Sequence, residues 1–131
     1  MSYAPRILIV EDEPTVRSLF EEVLSEDGYY ITTVGTARHA LHIVRNFEFE
    51  LVILDMSLPD RDGAEVLGHI RSESPHLKIL AASGFMAGGM HEIAMHAGAT
   101  ATLTKPTTPL ELRRAVYRLL DPSGAWVGAA T

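Results

Sequence analysis

The chain has 131 residues, 47% hydrophobic and 21% charged, the make-up of one soluble globular domain and not of a disordered chain or a fibrous repeat. Asp and Glu number 17 against 11 Lys and Arg, a formal charge of -6, so a phosphate backbone is not the expected partner and direct nucleic-acid binding is not expected. The absence of Cys excludes a disulfide framework and a thiolate metal site.

Taken in chain order, the first six residues carry no charged segment followed by an apolar stretch, so no export signal is expected. No apolar run approaches the about 20 residues of a membrane span, and a cytoplasmic protein without membrane insertion is the expectation. Ile7-Leu8-Ile9-Val10 reads as a first strand, because an unbroken run of branched aliphatics fits a parallel strand buried on both faces. A first helix follows: Val16, Leu19, Phe20, Val23 and Leu24 recur at i, i+3, i+4, i+7 and i+8 and form one apolar stripe. Pro14 suits its first turn and Gly28 the left-handed residue past its end. Residues 31–34 form the second strand, and Ala37, Ala40, Leu41 and Val44 mark the second helix. Leu51-Val52-Ile53-Leu54 is the third strand; Val66, Leu67 and Ile70 mark the third helix. Ile79-Leu80-Ala81-Ala82 is the fourth strand. Residues 86–97 open with Gly88-Gly89 and close at Gly98, which predicts a short helix behind a mobile loop. Residues 101–103 form the fifth strand; Leu112, Ala115, Val116, Leu119 and Leu120 mark the fifth helix, with Arg113, Arg114 and Arg118 on its solvated basic side.

Five strands alternating with five helices predict an α/β domain with right-handed crossovers and helices on both faces of a parallel sheet. The domain is expected over residues 1–121, with 122–131 a Gly/Ala-rich tail or trimmed linker.

In such a sheet, ligands bind beyond the carboxyl ends of the strands. Strand one runs into Glu11-Asp12-Glu13, strand three into Asp55, strand four into Ser83 and strand five into Thr104-Lys105-Pro106. Three carboxylates gathered at one edge repel one another and call for a cation, and all-oxygen ligands suit Mg²⁺. Asp55, between an apolar strand and the loop Met56-Ser57-Leu58-Pro59, is placed as a nucleophile. Mg²⁺ and Lys105 would neutralise an incoming phosphoryl group, and the Ser83 hydroxyl would donate to one of its oxygens. A plainer reading of residues 11–13 is an acidic turn capping helix one. The six His carry no ligand signature; His39 and His42, i and i+3 on one helix, read as surface residues.

These residues resemble the receiver domains of two-component response regulators over nearly the whole chain. Glu11-Asp12 is similar to the family's metal-binding acids. Asp55-Met56-Ser57-Leu58-Pro59-Asp60-Arg61-Asp62-Gly63 resembles its phosphoacceptor stretch, Ser83-Gly84 its Ser/Thr followed by a small residue, and Thr104-Lys105-Pro106 its Lys-Pro with a cis peptide bond. The resemblance implies a flavodoxin-like (βα)5 fold, doubly wound, with a five-stranded parallel sheet of order 2-1-3-4-5. It implies that Asp55 takes a phosphoryl group from the phosphohistidine of a sensor histidine kinase or a histidine phosphotransfer protein. Mg²⁺ would be held by Glu11, Asp12, Asp55 and the backbone carbonyl of Ser57. Ser57 and Phe85 would flank the water path and tune the lifetime of the acyl phosphate.

By the same resemblance the chain is a switch of a phosphorelay, catalysing only its own phosphotransfer and dephosphorylation. It would act on a downstream protein, and a homodimer through helix 4, strand 5 and helix 5 fits the family. Two positions depart from the pattern: Thr102 stands where the family carries a switch aromatic, and Thr107 follows Pro106 where Phe is usual. Helix four, with Phe85, Met86, Met90 and Met95 around a Gly-rich loop, is therefore expected to carry the switch. The alternatives are a Mg²⁺-dependent phosphohydrolase with an Asp nucleophile, against which Ser57 stands where haloacid-dehalogenase-type enzymes carry a second Asp, and a degenerate receiver acting as a docking module.

Overall fold

The computed structural model describes residues 4–121. Within them the elements run β1 (Arg6–Val10), α1 (Pro14–Glu26), β2 (Tyr30–Val34), α2 (Ala37–Asn46), β3 (Leu51–Asp55), α3 (Gly63–Glu73), β4 (Lys78–Ser83), α4 (Met90–Ala97), β5 (Ala101–Thr104) and α5 (Pro109–Leu120). All strand pairs are parallel, in the order β2-β1-β3-β4-β5. This is the flavodoxin-like, doubly wound architecture. The tail assigned to residues 122–131 lies outside the described residues.

The strand sequences explain the two layers. Side chains alternate across a pleated strand, so an unbroken apolar strand feeds both faces. Leu8, Val10, Val52, Leu54, Ile79 and Ala81 pack against α2, α3 and α4, whereas Ile7, Ile9, Leu51, Ile53 and Leu80 pack against α1 and α5. The helix stripes supply the opposing surfaces: Ala37, Ala40, Val44, Val66, Leu67 and Ile70 on one side, and Phe20, Val23, Leu24, Leu112 and Val116 on the other. β2 and β5 are edge strands with one neighbour each, and their residues are correspondingly less buried than those of β3.

Helix ends follow local chemistry. Glu13 caps α1 by accepting from the Thr15 amide, Pro14 occupies the first turn, and Gly28 beyond its end takes φ +88. A reciprocal capping box of Thr108 and Glu111 starts α5. The predicted fourth helix is split. A 3₁₀ turn covers Met86–Gly88, and α4 begins only after Gly89, whose φ of +96 breaks the helical path.

All the strands point their carboxyl ends to one edge. The order reverses between β1 and β3, and the crevice there is the position at which open α/β sheets bind ligands.

Candidate functional site

β1 delivers Glu11 into this crevice. Its amide donates to the Val34 carbonyl at 3.1 Å, which fixes the backbone, and its side chain is buried. Oε1 of Glu11 accepts from Lys105 Nζ at 2.8 Å and Oε2 accepts from the Glu13 amide at 3.1 Å. β3 ends on Asp55, also buried, whose Oδ1 accepts from the Ser57 amide at 2.9 Å and lies 3.5 Å from Lys105 Nζ. Asp12 is exposed. One carboxylate oxygen from each of Glu11, Asp12 and Asp55 lies within 4.8 Å of the others.

Three carboxylates against one ammonium leave a formal charge of -2, two of the acids being out of water. The donors are all oxygen, which matches a hard divalent cation and not a soft one. The residues therefore fit Mg²⁺. Lys105 responds to the same field: burial alone disfavours its charge, but the hydrogen bond to Glu11 and the nearby Asp55 outweigh that, and its pKa is raised.

Ser83 closes β4 and is fully buried. Its Oγ accepts from the Phe85 amide at 2.9 Å, so the hydroxyl proton remains available to donate. Ser83 pairs in register with Thr104, and the Lys105 amide donates to the Ser83 carbonyl at 2.9 Å. The Lys105–Pro106 peptide is cis. Glu11, Asp12, Asp55, Ser83 and Lys105 thus converge on one edge of the sheet, with the Ser57 amide already bonded to Asp55. Phe85 is 75% exposed at the rim.

Several residues whose roles only the fold reveals support the neighbouring elements. A Cβ built on Gly63 would stand 2.4 Å from the Met56 carbonyl oxygen and 2.7 Å from its Cα, so only glycine lets the start of α3 lie against the backbone next to Asp55. Asp60 reaches across to α2, its two oxygens accepting from the Ala37 and Arg38 amides at 3.1 Å each. Those bonds, that from Ala37 foremost, lower its pKa. Arg71 gathers the carbonyls of Ser74, Pro75, Leu77 and Gly98, tying α3 to the ends of its neighbours, and burial lowers its pKa. Arg17 Nη1 donates to the Glu11 carbonyl at 2.9 Å.

All six His are exposed, and none joins a metal-binding group among the described residues. A groove of about 830 Å³ lies at the opposite, amino-terminal edge of the sheet, lined in part by Phe47, Phe49, Leu77 and Leu119, well away from the acids.

The family profile of the response regulator receiver domain matches residues 7–117. The chain belongs to that family. This receiver is 32% identical over 116 residues to the alginate biosynthesis transcriptional regulatory protein AlgB of Pseudomonas aeruginosa, covering 88% of the chain but only 26% of AlgB. It therefore spans about a quarter of the length of that relative. Among solved structures it is similar to a CheY-like receiver domain protein of Methanospirillum hungatei, with TM-score 0.87, 29% identity and coverage of 92% of this chain and 96% of that one. It is also similar to the receiver domain of a sensor histidine kinase of Pseudomonas aeruginosa, with TM-score 0.83, 28% identity and coverage of 90% and 98%. That structure has a magnesium ion coordinated in its active-site cleft.

Within this receiver, Thr102 sits in register with Ala81 on β5, and its hydroxyl lies 2.6 Å from Nδ1 of His91 on α4. Of the methionines expected around the switch, Met86 is buried, Met90 packs against the core and Met95 is exposed. Among the described residues no helix is long and apolar enough to cross a membrane.

Proposed function

We propose that Asp55 is the phosphoacceptor of a two-component phosphorelay and that its phosphorylation switches protein contacts. The observation that carries this reading is the convergence of Glu11, Asp12 and Asp55 within 4.8 Å, with the Lys105 ammonium against two of them, in a chain of the receiver family. Glu11, Asp12, Asp55 and the Ser57 carbonyl would hold Mg²⁺. The bound ion would supply positive charge to the phosphoryl oxygens as the anion approaches.

The remaining work falls to the chain. A carboxylate oxygen of Asp55 attacks phosphorus in the phosphohistidine of a sensor kinase or phosphotransfer protein. The P–N bond breaks and its electron pair returns to the imidazole, which leaves. Lys105, already within 3.5 Å of Asp55, neutralises charge on the transferred group, and the buried Ser83 hydroxyl donates to one of its oxygens. Water later attacks phosphorus, the acyl O–P bond breaks and the Asp55 carboxylate is regenerated. Ser57 and Phe85, both exposed at the mouth, set how readily water reaches the group.

On this reading the chain catalyses only its own phosphorylation and dephosphorylation, works in the cytoplasm and acts through a downstream protein. The α4-β5-α5 face is where a homodimer would form. Incubation with acetyl phosphate and Mg²⁺, read by intact mass, tests the reading. A single phosphoryl adduct on wild type, abolished in Asp55→Asn, is expected. Turnover of assorted phosphate esters would instead identify a hydrolase, and an inert protein would identify a docking module.

A further inference from the structure

α4 is held very differently at its two ends. Its carboxyl end is pinned: Gly98 takes φ +118, its amide and that of Ala99 return to Met95 and Ala94, and its carbonyl accepts from Arg71 Nε at 2.9 Å and Nη2 at 2.8 Å. Those last two are charge-assisted bonds, roughly twice as strong as neutral ones. A Cβ on Gly98 would lie 2.9 Å from Arg71 Cγ, so the two residues are in close contact.

The amino end has no charge-assisted anchor of this kind; Met90, its first residue, packs partly buried against the core. Gly89 caps the helix without a side-chain bond, and beyond the adjoining chain neither Gly88 nor Gly89 has an atom within 4 Å of where a Cβ would be. α4 has eight residues, of which only Ala94 is buried. The first turn is tied to the sheet through His91, whose Nδ1 lies 2.6 Å from Thr102 Oγ1 on β5. This bond forms in either neutral tautomer, since a hydroxyl both donates and accepts.

We propose that the His91–Thr102 hydrogen bond is a latch that keeps the first turn of α4 on β5, and that it opens about the Arg71–Gly98 anchor when the site is loaded. The opening step rests on the phosphoacceptor reading. Ser83 Oγ accepts from the Phe85 amide, and residues 85–89 lead directly from that bond into α4. Rotation of the Ser83 side chain about χ1 toward a phosphoryl group carries Oγ itself away from the Phe85 amide, and the freed segment draws the first turn away. Thr102 leaves no aromatic ring at this position of β5, and the polar contact to α4 takes its place.

Amide hydrogen exchange on the full chain tests this, with the Ile93 amide, bonded to the Gly89 carbonyl at 3.2 Å, reporting the first turn and the Ala99 amide as the control at the pinned end. Without ligand, Thr102→Val should speed exchange at Ile93 about fivefold, the factor one net hydrogen bond carries, and leave Ala99 unchanged; Thr102→Ser should restore the wild-type rate. Beryllofluoride with Mg²⁺ should speed Ile93 exchange in wild type and add little in Thr102→Val, because the latch is already open there. Equal Ile93 rates in unliganded wild type and Thr102→Val, or an equal increment from beryllofluoride in both, would overturn the latch. Fluorine NMR of bound beryllofluoride separates the two readings: no bound signal defeats the phosphoacceptor site, while the unliganded comparison still decides the latch.

Discussion

Replacing Lys105 with Met removes the ammonium that stands 2.8 Å from Glu11 and 3.5 Å from Asp55 while keeping a chain of similar length. At an effective dielectric of about 20, those separations correspond to roughly 6 and 5 kcal/mol of gross attraction. Withdrawing the three charges from water offsets much of this. With the Lys105 side chain 21% exposed and both carboxylates 3% exposed, the expected net loss is about 3 kcal/mol, mostly from carboxylates left buried without their partner. Urea unfolding in the presence of a chelator should therefore show a lower midpoint with an unchanged slope. Mg²⁺ should then recover more stability in Lys105→Met than in wild type, because two carboxylates without an ammonium hold a divalent cation more tightly, and a ligand stabilises in proportion to the logarithm of its occupancy ratio. Wild-type stability of the variant in chelator, or identical Mg²⁺ increments for both proteins, would refute the view that Lys105 neutralises these two acids.

Gly63→Ala should cost about 1–3 kcal/mol by overpacking and also slow phosphorylation by acetyl phosphate, because the added methyl meets Met56, the neighbour of Asp55; unchanged unfolding and phosphorylation rates would contradict the contact. Asp60→Ala should cost about 1 kcal/mol at neutral pH, as loss of a helix cap does. The Ala37 and Arg38 amides hold the Asp60 carboxyl below its ordinary range, so its contribution is fully present above the unfolded value near 4 and disappears as pH falls through the lowered folded value. Circular-dichroism unfolding from pH 7 to 2 should show the wild-type advantage shrinking, and a pH-independent difference would count against it. Arg71→Ala should lose about 3 kcal/mol in urea unfolding and Arg71→Lys should recover little, since one ammonium does not reproduce a planar fork on four carbonyls. Full recovery by Lys would mean that charge alone matters there.

Glu11, Asp55 and Ser83 were legible because each directly follows an unbroken apolar run: Val10 to Glu11, Leu54 to Asp55, Ala82 to Ser83; Lys105, after the mixed Ala101-Thr102-Leu103-Thr104, was legible mainly through Lys-Pro. Once those runs are strands of one parallel sheet, their ends share an edge. What stayed hidden depends on contacts distant in sequence. Asp60 reaches amides 22 and 23 residues earlier, and Arg71 reaches a carbonyl 27 residues later; no local period announces either bond. Arg113, read as part of a solvated basic face, instead pairs with Glu26 at 2.6 Å and Asp27 at 3.4 Å at the end of α1. Helical period alone cannot tell a solvent-facing cation from one facing a neighbouring helix. Gly63 was visible as the end of a motif, but its reason, the approach of the Met56 backbone, needed the fold. His91 carried no ligand spacing, and its partner Thr102 stood out only as a departure from a family pattern.

If Asp55 is the phosphoacceptor, the phosphoryl group resides on its carboxylate, where it can be located chemically. Borohydride reduction of the phosphorylated protein converts an acyl phosphate of aspartate to homoserine, which peptide mass spectrometry assigns to a residue. Homoserine is expected at position 55, dependent on Mg²⁺ and accompanied by loss of all labelling in Asp55→Asn. Label at Asp12, Glu11 or any other acid, or undiminished label in Asp55→Asn, would contradict it.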